Sequence, residues 1–251
     1  MKKLKSILQK KSARDSQGHI SVRHQGGRVK RFLREIDFKR SKAEIWGKVE
    51  AIEHDPNRSA KIALVLYPDG ERRYIISPLG LKVGDKVIVS DSAPLEPGNT
   101  LHLKNIIPGT QIHNIEVSPG KGGQMVKSGG SFAVVQGVEG DFVLVRLPSG
   151  EIRRFSPDAK ATVGQIGNLE FSKRILRKAG TRRKMGIRPT VRGVAMHPNA
   201  HPHGGGEGRS GIGLPFPKTP WGKKAVGKTR RKRKYSDRLI ITGRKKGPHV
   251  G

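Results

Sequence analysis

Charge lies along this 251-residue chain in three blocks, and that distribution limits the fold more than any other feature. Residues 1–42 carry 14 Lys and Arg against 3 Asp and Glu, residues 43–171 carry 14 against 15, and residues 172–251 carry 23 against 2. The net charge of +31 therefore resides in the two flanks. A solvated charged surface mixes both signs, whereas flanks this one-sided repel themselves unless a polyanion neutralises them. Nucleic acid is the natural partner, because each phosphate contact releases condensed counterions. Only the near-neutral middle can bury a conventional core.

Composition agrees with that division. An apolar content of 33% with 5% aromatics is low for one packed globule of this length, and 33 Gly with 16 Pro point to much turn and irregular backbone. The absence of cysteine excludes disulfides, thiolate metal sites and a thiol nucleophile. Apolar runs are only a handful of residues long, so no membrane partner is expected. The opening "MKKLKSILQKKSARDSQG" lacks the apolar core of a secretory signal; being Lys-rich and acid-free up to Asp15, it leaves an organelle-targeting reading open.

The middle reads as strands. "AEIWGKVEAIEHD" (43–55) partly alternates, "KIALVLY" (61–67) stops at the turn signal "PDG", and "ERRYIIS" (71–77) follows, which predicts a hairpin. "DKVIVSD" (85–91) and "TLHLKNI" (100–106) continue at similar spacing. The grammar then returns: "LYPDGERRYIISP…VGDKV" (66–87) resembles "LPSGEIRRFSP…VGQIG" (147–167), with further strands expected at "FAVVQGV" (132–138), "FVLVRLP" (142–148) and "EIRRFS" (151–156). Short strands every 8–12 residues, broken by Gly and Pro, predict an all-β chain of two tandem small barrels. The expected divisions are a basic N-terminal arm over 1–43, a first barrel over 44–105, a second over 106–172, and a basic Gly/Pro-rich extension over 173–251. One or two helical turns are expected at the start of "SKRILRKAGTRRKMG" (172–186). The rest of the extension has no periodicity and could not by itself offset its ordering entropy, so it and residues 1–42 are expected to order on a partner.

Within the extension, "HPHGGGEGRSG" (201–211) concentrates chemistry-bearing residues. His197, His201 and His203 with Glu207 offer metal ligands, but Pro198 and Pro202 break any helix that would align them, and carboxylates to support such a site are scarce. A phosphate loop would need a Lys-Ser/Thr ending that enters a helix, which is missing. A catalytic histidine would need an orienting partner, and Ala200 offers none. The preferred reading is steric: glycines let the backbone approach phosphates while histidines stack or hydrogen-bond on RNA.

"RPTVRGVAMHPNAHPHGGGEGR" (188–209), "TPWGKK" (219–224), "DPNRSAKIALVLYPDGERRYIISP" (55–78), "PGNTL" (97–101), "HNIEVSPGKGGQ" (113–124), "RHQGGRVKR" (23–31) and "IDFKR" (36–40) together resemble the universal large-subunit ribosomal protein L-two family, in the family's order and from about Ser12 onward. The resemblance implies an oligonucleotide-binding (OB) barrel followed by an SH3-like barrel, with basic extensions threaded into ribosomal RNA. It also implies support for assembly of the peptidyl-transferase region, tRNA binding and subunit association. The family's RNA-contacting barrel positions match Arg58 and Lys127, the second being usually arginine; lysine keeps the charge and loses the planar fork. The histidine linked with peptidyl transfer matches His201. The family's usual Asn, Val and Asp stand here as His197, Asn199 and Ala200, and a frequent tryptophan is Lys184. The chain also opens later than most bacterial members, so a shortened N-terminal arm is expected.

The expected function is that of a structural, rRNA-binding constituent of the large subunit and not of an enzyme; the alternative is a direct part for His201 in peptidyl transfer. The candidate RNA contacts are Arg58, Arg72, Arg73, Lys121, Lys127, Arg153 and Arg154 in the barrels, and Arg188, Arg192, His201, His203, Arg209, Trp221, Lys223, Arg230 and Arg231 in the extension. For the strand pairs Arg72/Arg73 and Arg153/Arg154 the competing reading is a solvated strand face. No cofactor of the chain's own is expected, only Mg²⁺ carried by the rRNA, with zinc disfavoured. The expected partners are large-subunit rRNA, neighbouring ribosomal proteins, the small subunit across the inter-subunit face and, indirectly, tRNA. The expected location is the cytoplasmic ribosome, the mitochondrial or plastid ribosome being the alternative.

Overall fold

The computed structural model describes residues 4–226 and 235–244. The described residues divide into two compact units: one of residues 4–9, 30–175 and 238–244, the other of residues 10–29, 176–226 and 235–237.

The first unit holds both expected barrels, and the fold is all-β. In the OB-like part, strands Arg72–Ile76, Ile62–Leu66, Gly47–Glu53 and Lys86–Val87 lie in that order as one antiparallel sheet. Its inward positions, Val49, Ala63, Val65, Ile75 and Val87, form a buried cluster with Tyr67 and Leu81. Gly47 lies where a Cβ would meet Val65 Cγ1 at 2.4 Å, so the strand enters the core only without a side chain there. In the SH3-like part, seven strands follow in the order Ile240–Thr242, Ile152–Phe155, Phe142–Arg146, Ala133–Glu139, Gln111–His113, Lys160–Val163 and Thr100–His102. They close over Ile112, Val135, Val143, Val145, Phe155 and Ala161.

The repeated Pro-x-Gly-Glu text folds twice into the same turn. Gly70 N–H donates to Tyr67 O at 2.9 Å and Tyr67 N–H to Glu71 O at 3.0 Å; Gly150 N–H donates to Leu147 O at 2.9 Å and Leu147 N–H to Glu151 O at 2.8 Å. Both glycines have positive φ, 78° and 80°, which explains their shared place in the motif.

Four expectations are corrected. Residues 85–91 pair with the Gly47–Glu53 strand only over Lys86–Val87; Val89 instead forms a single parallel bridge with Thr100, Ser90 N–H donating to Thr100 O at 3.1 Å and Thr100 N–H to Ile88 O at 3.0 Å. Thr100–His102, placed in the first barrel, pairs with Lys160–Val163 and so belongs to the larger sheet. The start of 172–186 is a 3-10 turn, Leu169–Lys173, and the α-helix comes later, Ala179–Met185, stopped by Gly186 at φ 99°. The arm is not irregular throughout: Lys5–Leu8 and Arg31–Arg34 form an antiparallel pair.

The two barrels meet along a seam. Leu79 N–H donates to Gln165 O at 2.7 Å, Gly167 N–H to Ser77 O at 3.1 Å, and Gly129 N–H to Ser59 Oγ at 2.8 Å. Ala60, Ile76 and Ile166 are buried there beneath Ile36 and Phe38 of the arm.

In the second unit the helix lies along the 24–29 segment. Val29 N–H reaches Lys184 O at 2.9 Å, Gly26 N–H reaches Gly186 O at 2.8 Å, and Arg188 N–H reaches His24 O at 3.0 Å. No described helix is long and apolar enough to cross a membrane.

Candidate nucleic-acid interface

The site of the first unit is built on the tight turn at 55–58. Asp55 is fully buried, accepts the Asn57 N–H at 3.0 Å, and receives Arg58 Nε at 2.7 Å and Arg34 Nη1 at 3.6 Å. Burial raises its pKa, yet the Asn57 amide and the two guanidinium groups outweigh burial and hold it below the usual carboxylate range. Arg58 is thereby fixed with its Cζ 5.8 Å from the centre of the Phe38 ring.

Lys127 comes to the same ring from the other barrel, its Nζ 4.2 Å from the centroid. Burial first, and then the positive charge of Arg58, lower its pKa from 10.5. Phe38 is held by its carbonyl, which accepts Gly123 N–H at 2.8 Å. A Cβ at Gly122 would stand 3.1 Å from the Phe38 carbonyl carbon, so the "PGKGG" loop can lie on the arm only as glycine. The same loop is tied by the buried Glu116 carboxylate, which accepts N–H groups from Gly120, Gly122 and Lys160 at 2.9–3.2 Å. It presents Lys121 at the surface, and a cleft of about 470 Å³ brings Lys121 together with Lys39, Arg72 and Arg73.

The strand-borne arginines are engaged within the protein. Arg72 forms a two-pronged pair with Glu50 at 2.7 and 3.0 Å. Arg73 does so with Glu71 at 2.9 and 3.2 Å and also reaches Asp37 at 2.9 Å. Arg73, then Lys42, lowers the Glu71 pKa to about 2, and Glu71, then Asp37, raises that of Arg73 despite its partial burial. Arg154 holds Glu139 at 3.0 Å, and Arg153 lies 6.0 Å from the Phe155 ring centre. The Arg72 and Arg154 pairs are solvent-exposed and weakly held, so a phosphate can compete for those guanidinium groups, whereas the Arg73 pairs are partly buried.

In the second unit the His-Gly loop is organised by imidazole-to-backbone hydrogen bonds. His201 is buried, and its Nδ1 accepts the His203 N–H at 3.0 Å; His203 Nε2 accepts the Lys218 N–H at 2.8 Å. The two rings lie 4.6 Å apart, tilted by 57°. Burial, then His203 and Arg23, lower the His201 pKa. Gly193 packs on the ring: a Cβ there would be 2.5 Å from His201 Cε1. Gly204 N–H donates to His201 O at 2.9 Å and Gly205 N–H to Met196 O at 3.2 Å, so the glycines fold back beneath the histidines. His197 pairs with Asn199 at 2.8 Å.

Arg188, Arg192, Arg209 and Lys223 are exposed, and Trp221 is 76% exposed with Arg23 Cζ 5.3 Å from its ring. Arg230 and Arg231 lie outside the described residues. Among the described residues, no group of three His, Cys, Asp or Glu could hold a metal ion.

Two residues were missed by the candidate list. Phe38 stood in the quoted "IDFKR" and Arg23 in "RHQGGRVKR", and the signal for Phe38 was an aromatic set among the cations of the basic arm. What the units offer is cations beside aromatic faces, with a thin Gly-rich backbone, which is chemistry suited to phosphates and bases. Residues 1–89 match the family described as Ribosomal Proteins L2, RNA binding N-terminal domain, and residues 96–222 match Ribosomal Proteins L2, C-terminal domain. The two basic positions that meet over Phe38 fall one in each matched domain, and with both domains present in order the chain belongs to the ribosomal protein L2 family.

Proposed function

We propose that this protein grips folded large-subunit rRNA across its barrel seam and, through the basic flanks, supports assembly of the peptidyl-transferase region, tRNA binding and subunit association. Family membership makes it a ribosomal, RNA-binding structural protein. The observation that carries the finer reading is the convergence of Arg58 and Lys127 on Phe38, since two cations held over one ring are placed for a phosphate or a base. The proposed partners are rRNA with its Mg²⁺, neighbouring ribosomal proteins and the small subunit, and the proposed compartment is the cytoplasm.

The His201 geometry favours an RNA contact over proton transfer. Nδ1 already accepts a backbone N–H, so the neutral ring carries its proton on Nε2 and offers RNA a donor. A general base would have to break the bond that shapes the loop, and among the described residues no carboxylate hydrogen-bonds this imidazole.

Two experiments test the proposal. Affinity for large-subunit rRNA should fall steeply with salt, in proportion to the phosphates neutralised; a flat profile refutes it. Large subunits reconstituted with His201→Gln protein should assemble less well or be unaffected. Normal assembly with peptide transfer slowed by roughly 10²–10⁴-fold would instead establish a base.

A further inference from the structure

Arg40 is a buried cation whose guanidinium has no ion-pair partner among the described residues. It is 3% exposed, and no carboxylate among the described residues lies within ion-pair distance of it. Its Nε donates to Thr100 Oγ1 at 3.2 Å and its Nη2 to Gly98 O at 3.1 Å, but Nη1 has no partner among the described residues. Asn114, 7% exposed, has the complementary deficit: its Oδ1 has no donor among the described residues. Both residues line one small cavity at the barrel seam, with Asp37, His113 and Thr162 as its other polar neighbours and Ile36, Phe38, Ile75 and Ile76 closing it. It has room for the centre of a single water, about 10 Å³.

Buried donors and acceptors in folded proteins are almost always satisfied, by ordered water where protein atoms do not reach. We infer that one ordered water sits in this cavity, accepting from Arg40 Nη1 and donating to Asn114 Oδ1. The room suits a water and not a larger anion. The bridge joins three segments. Asp37 Oδ1 accepts the Arg40 N–H at 2.8 Å and so ties in the arm that carries Phe38. Thr100, bonded to Thr162 at 2.9 Å, belongs to the larger sheet. Asn114 N–H donates to Val126 O at 2.9 Å, one residue before Lys127. The water thus clasps the segments that bring Phe38 and Lys127 together.

The test is a crystal structure of the full chain at atomic resolution, grown with bromide in place of chloride. A peak within hydrogen-bond distance of both Arg40 Nη1 and Asn114 Oδ1, without anomalous signal, is the expected result. No peak there, or a bromide signal, overturns the inference. A double-mutant cycle gives a second readout that does not depend on crystals. Arg40→Met and Asn114→Leu should each lower the Tm, by on the order of 5 °C, and together by clearly less than the sum, because both bridge ends leave at once. Additive losses overturn the bridge. Where a single variant fails to fold, the wild-type map decides.

Discussion

Arg58 and Lys127, one from each barrel, meet over the same face-bearing residue: the Phe38 ring has Lys127 Nζ at 4.2 Å and Arg58 Cζ at 5.8 Å from its centre. Two like charges brought this close repel, and burial first, then that repulsion, lowers the Lys127 pKa. Asp55 compensates on the Arg58 side through its 2.7 Å pair, leaving Lys127 as the member whose charge is least supported. On the proposed reading, an RNA phosphate would supply the missing support.

Phe38→Leu keeps apolar volume and removes the aromatic face. Each cation–π contact is worth about 0.5–2 kcal/mol, so rRNA affinity should fall roughly threefold to thirtyfold with the fold intact. Filter binding at one fixed salt concentration measures it; an unchanged Kd would mean that the ring only fills the seam.

Lys127→Arg should bind rRNA more tightly, by roughly threefold to tenfold, through the planar fork. The pH dependence has a definite sign. Because burial and Arg58 depress the Lys127 pKa, wild-type affinity should begin to fall as pH rises toward 10.5, earlier than for an ordinary lysine. The arginine variant keeps its charge there and should hold its affinity. Parallel profiles for the two proteins would refute this.

Asp55→Asn leaves Arg34 and Arg58 without their shared carboxylate at a fully buried position. Breaking a buried pair costs about 3–5 kcal/mol, moderated here by the partial exposure of both arginines, so a loss of about 2–4 kcal/mol is expected in urea unfolding. RNA affinity should fall as well, since Arg58 loses its anchor.

His113 gives the first unit an acid limit. It is 1% exposed, donates from Nδ1 to Gly164 O at 2.8 Å, and is pushed by burial, aided by Arg40, from 6.5 to about 4. The unfolded chain therefore binds this proton first as pH drops. The stability tied to the neutral ring is whole above about 6.5 and is lost between 6.5 and about 4, by up to about 3 kcal/mol. His113→Gln should unfold with a visibly flatter pH dependence across that window; the wild-type slope persisting in the variant would assign the effect elsewhere.

Gly193→Ala should displace the His201 ring, because the new methyl would sit 2.5 Å from Cε1. Overpacking of this kind costs about 1–3 kcal/mol. The imidazole NMR shifts of His201 and His203 should both move, since the loop links them. An unmoved His203 would separate the two rings.

Much of the architecture was legible because it rests on local rules. The Pro-x-Gly-Glu hairpins at 67–71 and 147–151 need only a glycine at positive φ between apolar strands, and both formed as read. The helix was misplaced because Gly180 reads as a stop after "SKRILRKA", whereas it lies inside the helix and the decisive glycine is Gly186, at the far end of the segment. The arm's pairing of Lys5–Leu8 with Arg31–Arg34 was invisible for a different reason: its residues alternate no apolar pattern, and register comes from partners more than twenty positions away.

What the sequence determined alone was the division of labour: a near-neutral middle that can bury a core, flanks whose unrelieved charge demands a polyanion, and glycines that hold turns. What only the tertiary structure decided was which charges are already answered. Arg72, Arg73 and Arg154 read the same in sequence as Lys121, yet each meets a carboxylate, Glu50 and Glu139 from two strands over and Glu71 from two residues before Arg73, whereas Lys127 meets an aromatic ring and a second cation. Charge pairing depends on distances of a few ångströms between segments remote in the chain, and no local pattern encodes those distances.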